Sequence, residues 1–156
     1  MEEEKTKRAQ DVFQTLCAAL DGRGWHYDKN EEKLRIDCSV QGEDLPMSLS
    51  IRIDVGRQLI LLLSHLPLTI PEDKRMDAAI AVSAVNNVLI DGSFDFDVTD
   101  GHMLFRMTSS FLESEIGVDL FDYLIRISCL TVDEYNDKFL LLGKNVLSLE
   151  AFLQSV

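Results

Sequence analysis

The stretch that decides the fold is Val85–Thr108, VNNVLIDGSFDFDVTDGHMLFRMT, which contains two strand-like runs around Asp100-Gly101. An Asp-Gly pair favours a two-residue type I′ turn, because both central positions of that turn need a positive φ. With this turn as the pivot, the predicted cross-strand pairs are Val98 with Met103, Phe96 with Phe105, Phe94 with Met107, Asp97 with Leu104, Asp95 with Arg106, and Ser93 with Thr108. One face of the predicted hairpin is therefore apolar, and the other contains an ion pair.

Hydrophobic periodicity predicts the elements on either side of this hairpin. Alternating or continuous apolar runs predict strands over 33–40, 47–55 and 58–66, and 25–27 starts a short extended segment. Pro67 and Pro71 are expected to end the third long strand. Apolar residues at helical spacing predict helices over 5–21, 71–89, 115–131 and 148–156. Thr131-x-x-Glu134 resembles a capping box, so either a helix restarts there or one long helix continues to Gly143.

The predicted architecture is α+β and consists of one domain over residues 1–156. The elements follow in the order helix, three or four antiparallel strands, helix, β-hairpin and C-terminal helices. In this arrangement the helices pack mainly against one face of the sheet.

The predicted strand over 58–66 differs from its neighbours because it is apolar on both sides. Ile60 and Leu62, together with Leu104 on the polar face of the hairpin, are apolar where adjacent positions are polar. A strand of this kind is covered on both faces, either by its own chain or by another protein. We therefore take Ile60, Leu62 and Leu104 as candidate partner-binding residues. The alternative is that the terminal helices cover them.

The chain is strongly acidic, with 27 Asp and Glu against 15 Lys and Arg and a net charge of −12. Such a chain repels nucleic acid and anionic membrane surfaces, which argues against both as partners. Basic segments of other proteins are favoured instead. A simpler interpretation is that the charge keeps a small protein in solution.

Cysteine usage and the N-terminus indicate a cytoplasmic location. The chain has an odd number of cysteines, and they are widely spaced, which fits a reducing compartment. They are Cys17, Cys38 and Cys129. The start, MEEEKTKRAQ, has no apolar region of the kind found in signal peptides. The longest apolar run, Leu59–Leu63, is far below the ~20 residues of a membrane span.

No pattern indicates catalysis, a cofactor or a metal. His26, His65 and His102 fall on three different predicted elements, without a ligand or base at a characteristic spacing. Asp95 and Asp97 alternate with apolar residues as on a strand, and the acidic cluster lacks the glycine and glutamate positions of a calcium loop. The glycine-rich and nucleophile motifs of nucleotide-binding proteins and hydrolases are absent. We therefore expect a protein that is not an enzyme.

The run over 63–111, LSHLPLTIPEDKRMDAAIAVSAVNNVLIDGSFDFDVTDGHMLFRMTSSF, resembles the YbjN-like family. That family has a strand, a proline-started helix with asparagine near its end, then G-x-F and D-G elements and an aromatic strand. The matching residues are Pro71, Asn86, Asn87, Gly92, Phe94, Phe96, Asp100, Gly101 and Phe105. The resemblance covers roughly residues 10–142, and it implies a regulator of sensory transduction without assigned catalytic residues.

The same order of elements is similar to that of type III secretion chaperones. Those proteins are small, acidic, cytoplasmic dimers that hold an extended segment of a secreted effector. The resemblance therefore implies a bacterial, non-catalytic protein-binding module that forms a homodimer, in keeping with the alanine-rich predicted helix over 71–89. The predicted C-terminal helices extend further than such chaperones need. A regulator that binds a signalling protein is the alternative function, and a hydrolase or ligand-binding enzyme is the third.

Overall fold

The computed structural model describes residues 1–156 as six strands and four helices in two layers. The elements are α1 (Glu2–Gly22), β1 (Asp28–Asn30), β2 (Arg35–Gln41), β3 (Pro46–Asp54), β4 (Leu59–Thr69), α2 (Arg75–Val88), β5 (Ser93–Phe96), β6 (His102–Ser110), α3 (Val118–Gly143) and α4 (Leu149–Gln154). A single 3-10 turn, Glu72–Lys74, precedes α2. The predicted order of elements is confirmed.

The strands form one antiparallel sheet in the order β1-β2-β3-β4-β6-β5. α1 packs against β3, α3 packs against β3, β4 and β6, and α2 packs against β5. Inward side chains of the strands are buried, whereas most outward ones are half-buried or exposed. The fold is therefore α+β with the helices on one face, as predicted, and the opposite face of the sheet is open.

Large apolar side chains join the helices to the covered face. The Phe94 ring lies 5.0 Å from that of Phe105 and 5.2 Å from that of Phe139, measured between centroids. The Phe152 ring of α4 follows at 5.2 Å from Phe139. All four phenylalanines are almost fully buried. Each such side chain contributes about 1.5–3 kcal/mol through burial, so this stack fixes α3 and α4 on the hairpin.

α3 is one continuous helix, which settles the alternative that the sequence left open. Its buried residues Ser128, Val132, Tyr135 and Phe139 keep helical spacing through the position of the capping box at Thr131. A restart would shift this stripe away from the sheet. The helix that begins with a hydroxyl cap is instead α4, where Ser148 Oγ accepts a hydrogen bond from the backbone N–H of Ala151 at 3.1 Å.

The prediction that Pro67 ends the third long strand is wrong. β4 continues through Pro67 to Thr69, with an irregular register between His65 and Thr69 in its pairing with β6. A proline has no backbone N–H to contribute to the ladder, and it is tolerated where the pairing is interrupted. β4 is consequently the longest strand of the sheet.

The predicted register of the hairpin is also wrong, by two residues. Phe94 pairs with Phe105, and Phe96 pairs with Met103, so residues 97–101 form a longer loop. The cause is Asp97, whose carboxylate accepts hydrogen bonds from the backbone N–H and the hydroxyl of Thr99 at 2.9 and 2.6 Å. The backbone N–H of Gly101 closes the loop onto Asp97 O at 2.8 Å.

The shift of two residues leaves the two faces of the hairpin as predicted. Side chains alternate with a period of two, so such a shift preserves which of them point inward. Phe94, Phe105 and Met107 are buried, and Asp95 still lies within 3.0 Å of Arg106 although the two residues are no longer directly opposite. Val98 loses its predicted strand partner and is 54% exposed.

Candidate partner-binding face

Ile60 and Leu62 do not lie on the open face, and this part of the predicted binding site is wrong. Both side chains are 0% exposed and belong to the core beneath the helices. In the ladders Ile60 pairs with Ile53, and Leu62 pairs with Ile51 and Met107, all of which point inward. The burial of Ile60 and Leu62 therefore follows from the register of β4 with its neighbours.

The open face carries the other set of apolar residues of β4. Leu59, Leu61 and Leu63 are half-buried there, and Leu104 of β6 joins them at one end, next to His65. We call Leu59, Leu61, Leu63 and Leu104 the leucine strip. Leu104 thus lies on the open face as predicted, and its binding role stays a prediction. On the β3 side the open face is polar, with Ser48, Ser50 and Arg52.

One end of the leucine strip lies in a groove of about 620 Å³. Its lining includes Arg52, Asp54, Arg57, Leu59, Leu61, Asp91, Arg106 and Thr108, and we call it the arginine groove. β5 pairs only with the first part of β6, so the groove continues over the unpaired edge of β6 towards Tyr123 of α3. The groove therefore combines apolar side chains with three guanidinium groups and the two carboxylates of Asp54 and Asp91.

The charges of the arginine groove differ from those of the chain as a whole. Arg106 is paired with Asp95, with its Nη2 3.0 Å from the carboxylate. Asp54 accepts a hydrogen bond from the backbone N–H of Arg57 at 2.9 Å. The guanidinium groups of Arg52 and Arg57 form no ion pair or hydrogen bond. The expectation of basic partner segments came from the net charge, which does not describe this surface.

The other end of the strip lies in a second groove of about 590 Å³, lined in part by His65, Val98, His102 and Leu104. His102 Nδ1 lies 3.1 Å from the carboxylate of Asp100 within the hairpin loop. His26 lies elsewhere, beside β2. No group of three or more His, Cys, Asp or Glu side chains is arranged to hold a metal ion.

The three cysteines are free thiols. Burial raises the pKa of Cys38 to about 11, and burial is also the main cause of the raised pKa values of Cys17 and Cys129. A thiol is nucleophilic only as the thiolate, so these side chains are held in the unreactive form at neutral pH. They act as small apolar residues at the interface between the helices and the sheet.

Asn86 and Gly92, which belong to the motif within residues 63–111, hold the hairpin in place. The side chain of Asn86 pairs with the backbone of Phe94 in both directions: Nδ2 donates to the carbonyl at 3.0 Å, and Oδ1 accepts from the N–H at 2.8 Å. Gly92 has a φ of +73°, and a Cβ there would lie 2.5 Å from the Phe105 ring. These residues therefore specify a helix-to-hairpin junction, and the sequence pattern matches the YbjN family over residues 13–141.

The chain belongs to the YbjN family. The family is described as "Putative bacterial sensory transduction regulator". The crystal structure of YbjN from E. coli superimposes on this YbjN-family protein with a TM-score of 0.59 at 14% sequence identity, covering 81% of this chain and 92% of the other. No curated protein matches the chain.

Two further solved structures share the fold. The HopA1–SchA chaperone–effector complex matches with a TM-score of 0.50 and 14% identity over 83% of this chain and 94% of that one. The ExsC–ExsE complex matches with a TM-score of 0.51 and 15% identity over 80% and 89% of the respective chains. At these identities the likeness is one of fold, which confirms the predicted secretion-chaperone-like architecture.

None of the helices has both the length and the apolar character that crossing a membrane requires.

Proposed function

We propose that this YbjN-family protein is a non-catalytic, cytoplasmic protein-binding module that holds an extended segment of a partner protein along the leucine strip. The observation that supports this proposal is the open face of the sheet, whose central strand presents three half-buried leucines. The flanking strands present mainly polar side chains there. An apolar track one strand wide suits an extended segment better than a helix or a flat surface.

The fold supports the same proposal by analogy. One structure with this fold is a complex of a chaperone with its effector. A partner that covers Leu59, Leu61 and Leu63 would gain about 25 cal/mol of binding free energy for each Å² of apolar surface removed from water. The half-burial of these leucines leaves part of that surface available in the isolated chain.

The experiment compares a charged variant of the leucine strip with a control variant elsewhere on the open face. The double substitution Leu61→Asp/Leu63→Asp places charges on the strip, whereas Ser39→Asp places one on a polar, exposed position of β2. We expect a specific partner captured from native lysate by the wild-type chain and by Ser39→Asp to be lost with the double variant. Retention of that partner by a folded double variant would contradict the proposal.

We also propose that the protein is a homodimer formed through α2. Ala78, Ala81, Val82 and Val85 face the core, and the opposite side of the helix exposes Met76 (74%) and Ile80 (47%). Ile90 follows the helix and is 98% exposed. A second copy would cover Met76 and Ile80, since exposed large apolar side chains that share one helix face are typical of interfaces.

The alternative function is a regulator that acts by binding a signalling protein, which the description of the family favours. The two functions use the same surface and differ in the partner. A gene for a secreted effector next to the gene for this chain would support the role of a chaperone, whereas its absence would favour regulation.

A further inference from the structure

We propose that the arginine groove selects partner segments in which acidic residues alternate with apolar ones, so that this acidic protein binds an acidic segment. The inference rests on the proposed function, because it assigns a partner chemistry to one end of the same leucine strip. The proposed partner segment is acidic, whereas the net charge of −12 by itself favours a basic one.

The ladders place arginines on both sides of the strip. Arg52 of β3 is directly opposite Leu61, and Leu61 is opposite Thr108 of β6. Arg106 of β6 is opposite Leu63. Arg57 lies in the turn between β3 and β4, at the end of the strip where Leu59 begins. A segment lying along Leu61 and Leu63 would therefore have Arg52 on its β3 side at Leu61 and Arg106 on its β6 side at Leu63, with Asp54 of β3 opposite Leu59.

The pairing of these groups leaves room for carboxylates from outside. Arg106 is already paired with Asp95. The carboxylates of Asp54 and Asp91, which also line the groove, accept hydrogen bonds from the Arg57 backbone and from the Tyr123 hydroxyl, and neither pairs with a guanidinium group. Arg52 and Arg57 retain all their side-chain donors. A guanidinium binds a carboxylate through two parallel hydrogen bonds, which makes such sites selective for acidic groups.

The combination of apolar and basic side chains limits the partner further. An isolated acidic residue on a surface gains little from one exposed arginine. An extended segment spaces its side chains about 3.3 Å apart and points them alternately to opposite sides. Apolar residues at every second position of such a segment would contact Leu59 and Leu61. The acidic residues between them point away from the strip, so the long side chains of Arg52 and Arg57 would reach their carboxylates along the sides of the segment.

Repulsion from the rest of the molecule does not prevent this binding. Charges of exposed groups are screened beyond about 8 Å at physiological ionic strength. The acidic residues outside the groove therefore slow the approach of an acidic segment, whereas contacts inside the groove decide how long it stays. The proposal thus concerns affinity at physiological salt.

The test uses three fluorescein-labelled peptides of one length, with leucine at alternate positions and Glu, Gln or Lys between them. Binding to the full chain is measured by fluorescence anisotropy at physiological salt. Arg52→Glu/Arg57→Glu reverses the charge of the groove. Lys7→Glu/Lys144→Glu makes the same change in net charge at exposed positions outside it, and Leu61→Asp disrupts the strip.

We expect the Glu peptide to bind the wild-type chain about tenfold more tightly than the Lys peptide, which is the size of effect that one or two charge pairs produce. The groove variant should lose or reverse that preference, whereas the lysine variant should keep it. Circular dichroism checks that each variant is folded. If Arg52→Glu/Arg57→Glu is not folded, the neutral variant Arg52→Gln/Arg57→Gln takes its place.

Several results would overturn the inference. A preference of the wild-type chain for the Lys peptide would do so, as would a preference that survives in the groove variant. Equal binding of all three peptides that is lost in Leu61→Asp would leave the proposed function standing and remove only the charge selectivity. Binding of none would count against both. If only the groove variant differs from the wild-type chain in molecular mass in solution, the groove forms a contact between copies of the chain and does not bind an acidic segment.

Discussion

Leu61 and Leu62 are neighbours in the chain but lie on opposite faces of the sheet. Leu62 is fully buried between Ile51 and Met107, whereas Leu61 faces outward between Arg52 and Thr108. The same substitution at the two positions therefore separates the role of the core from the role of the open face.

We expect Leu62→Asp to lower the free energy of unfolding by about 4 kcal/mol or more, because it buries an unpaired charge and removes apolar contacts. Leu61→Asp should change it by about 1 kcal/mol or less, since the carboxylate remains in water beside Arg52. Urea denaturation followed by circular dichroism measures both values. Equal losses at the two positions would show that the assigned faces of β4 are wrong.

At the scale of elements, the hairpin is joined to the end of β4 through Gly101. The backbone N–H of Ile70 donates a hydrogen bond to Gly101 O at 2.9 Å. Gly101 has a φ of +81°, and a Cβ at this position would lie 2.2 Å from Ile70 O. The glycine therefore serves both the loop conformation and the close approach of the two segments.

Gly101→Ala should lower the free energy of unfolding by about 2 kcal/mol or more, because it adds strain at a positive φ and a clash with the backbone of Ile70. Gly22→Ala is the matched control: Gly22 ends α1, and a Cβ there meets no atom within 4 Å. That change should be neutral or stabilising by up to about 1 kcal/mol. A similar stability for both variants in thermal or urea denaturation would refute this account of the loop.

At the scale of the whole molecule, two surfaces remain without a partner in the single chain. One is the leucine strip on the open face, and the other is the stripe around Met76 and Ile80 on α2. They belong to different layers of the fold, since the open face lies across the sheet from the helices. A dimer through α2 would therefore leave both copies of the strip accessible.

Light scattering of the wild-type chain should give twice the 17.7 kDa of one chain, and Ile80→Asp should give the single-chain mass at the same concentration. Leu130→Asp is the control, because Leu130 is also an exposed apolar side chain, 58% accessible, but lies on α3. That variant should remain a dimer. A wild-type mass of one chain at working concentration would exclude the dimer.

The order and type of the elements followed from the sequence alone, and so did the inward residues of the hairpin. Periodicity is a local property, and alternation keeps Phe94 and Phe105 on one face even where the register differs by two residues. The motif from Pro71 to Phe105 likewise indicated the family. Its glycine and asparagine are required by the backbone of adjacent residues at the junction between α2 and the hairpin, so they can be recognised within a short stretch of sequence.

Only the tertiary structure decided which leucines of β4 are available and which charges lie beside them. Ile60 and Leu62 could not be distinguished from Leu59 and Leu61 by pattern, since both sets are apolar and the choice depends on pairing with β3 and β6. Arg52, Arg57 and Arg106 converge on one groove although up to 54 positions separate them in the chain. Long-range pairing creates such a surface, and the net charge of a sequence carries no information about it.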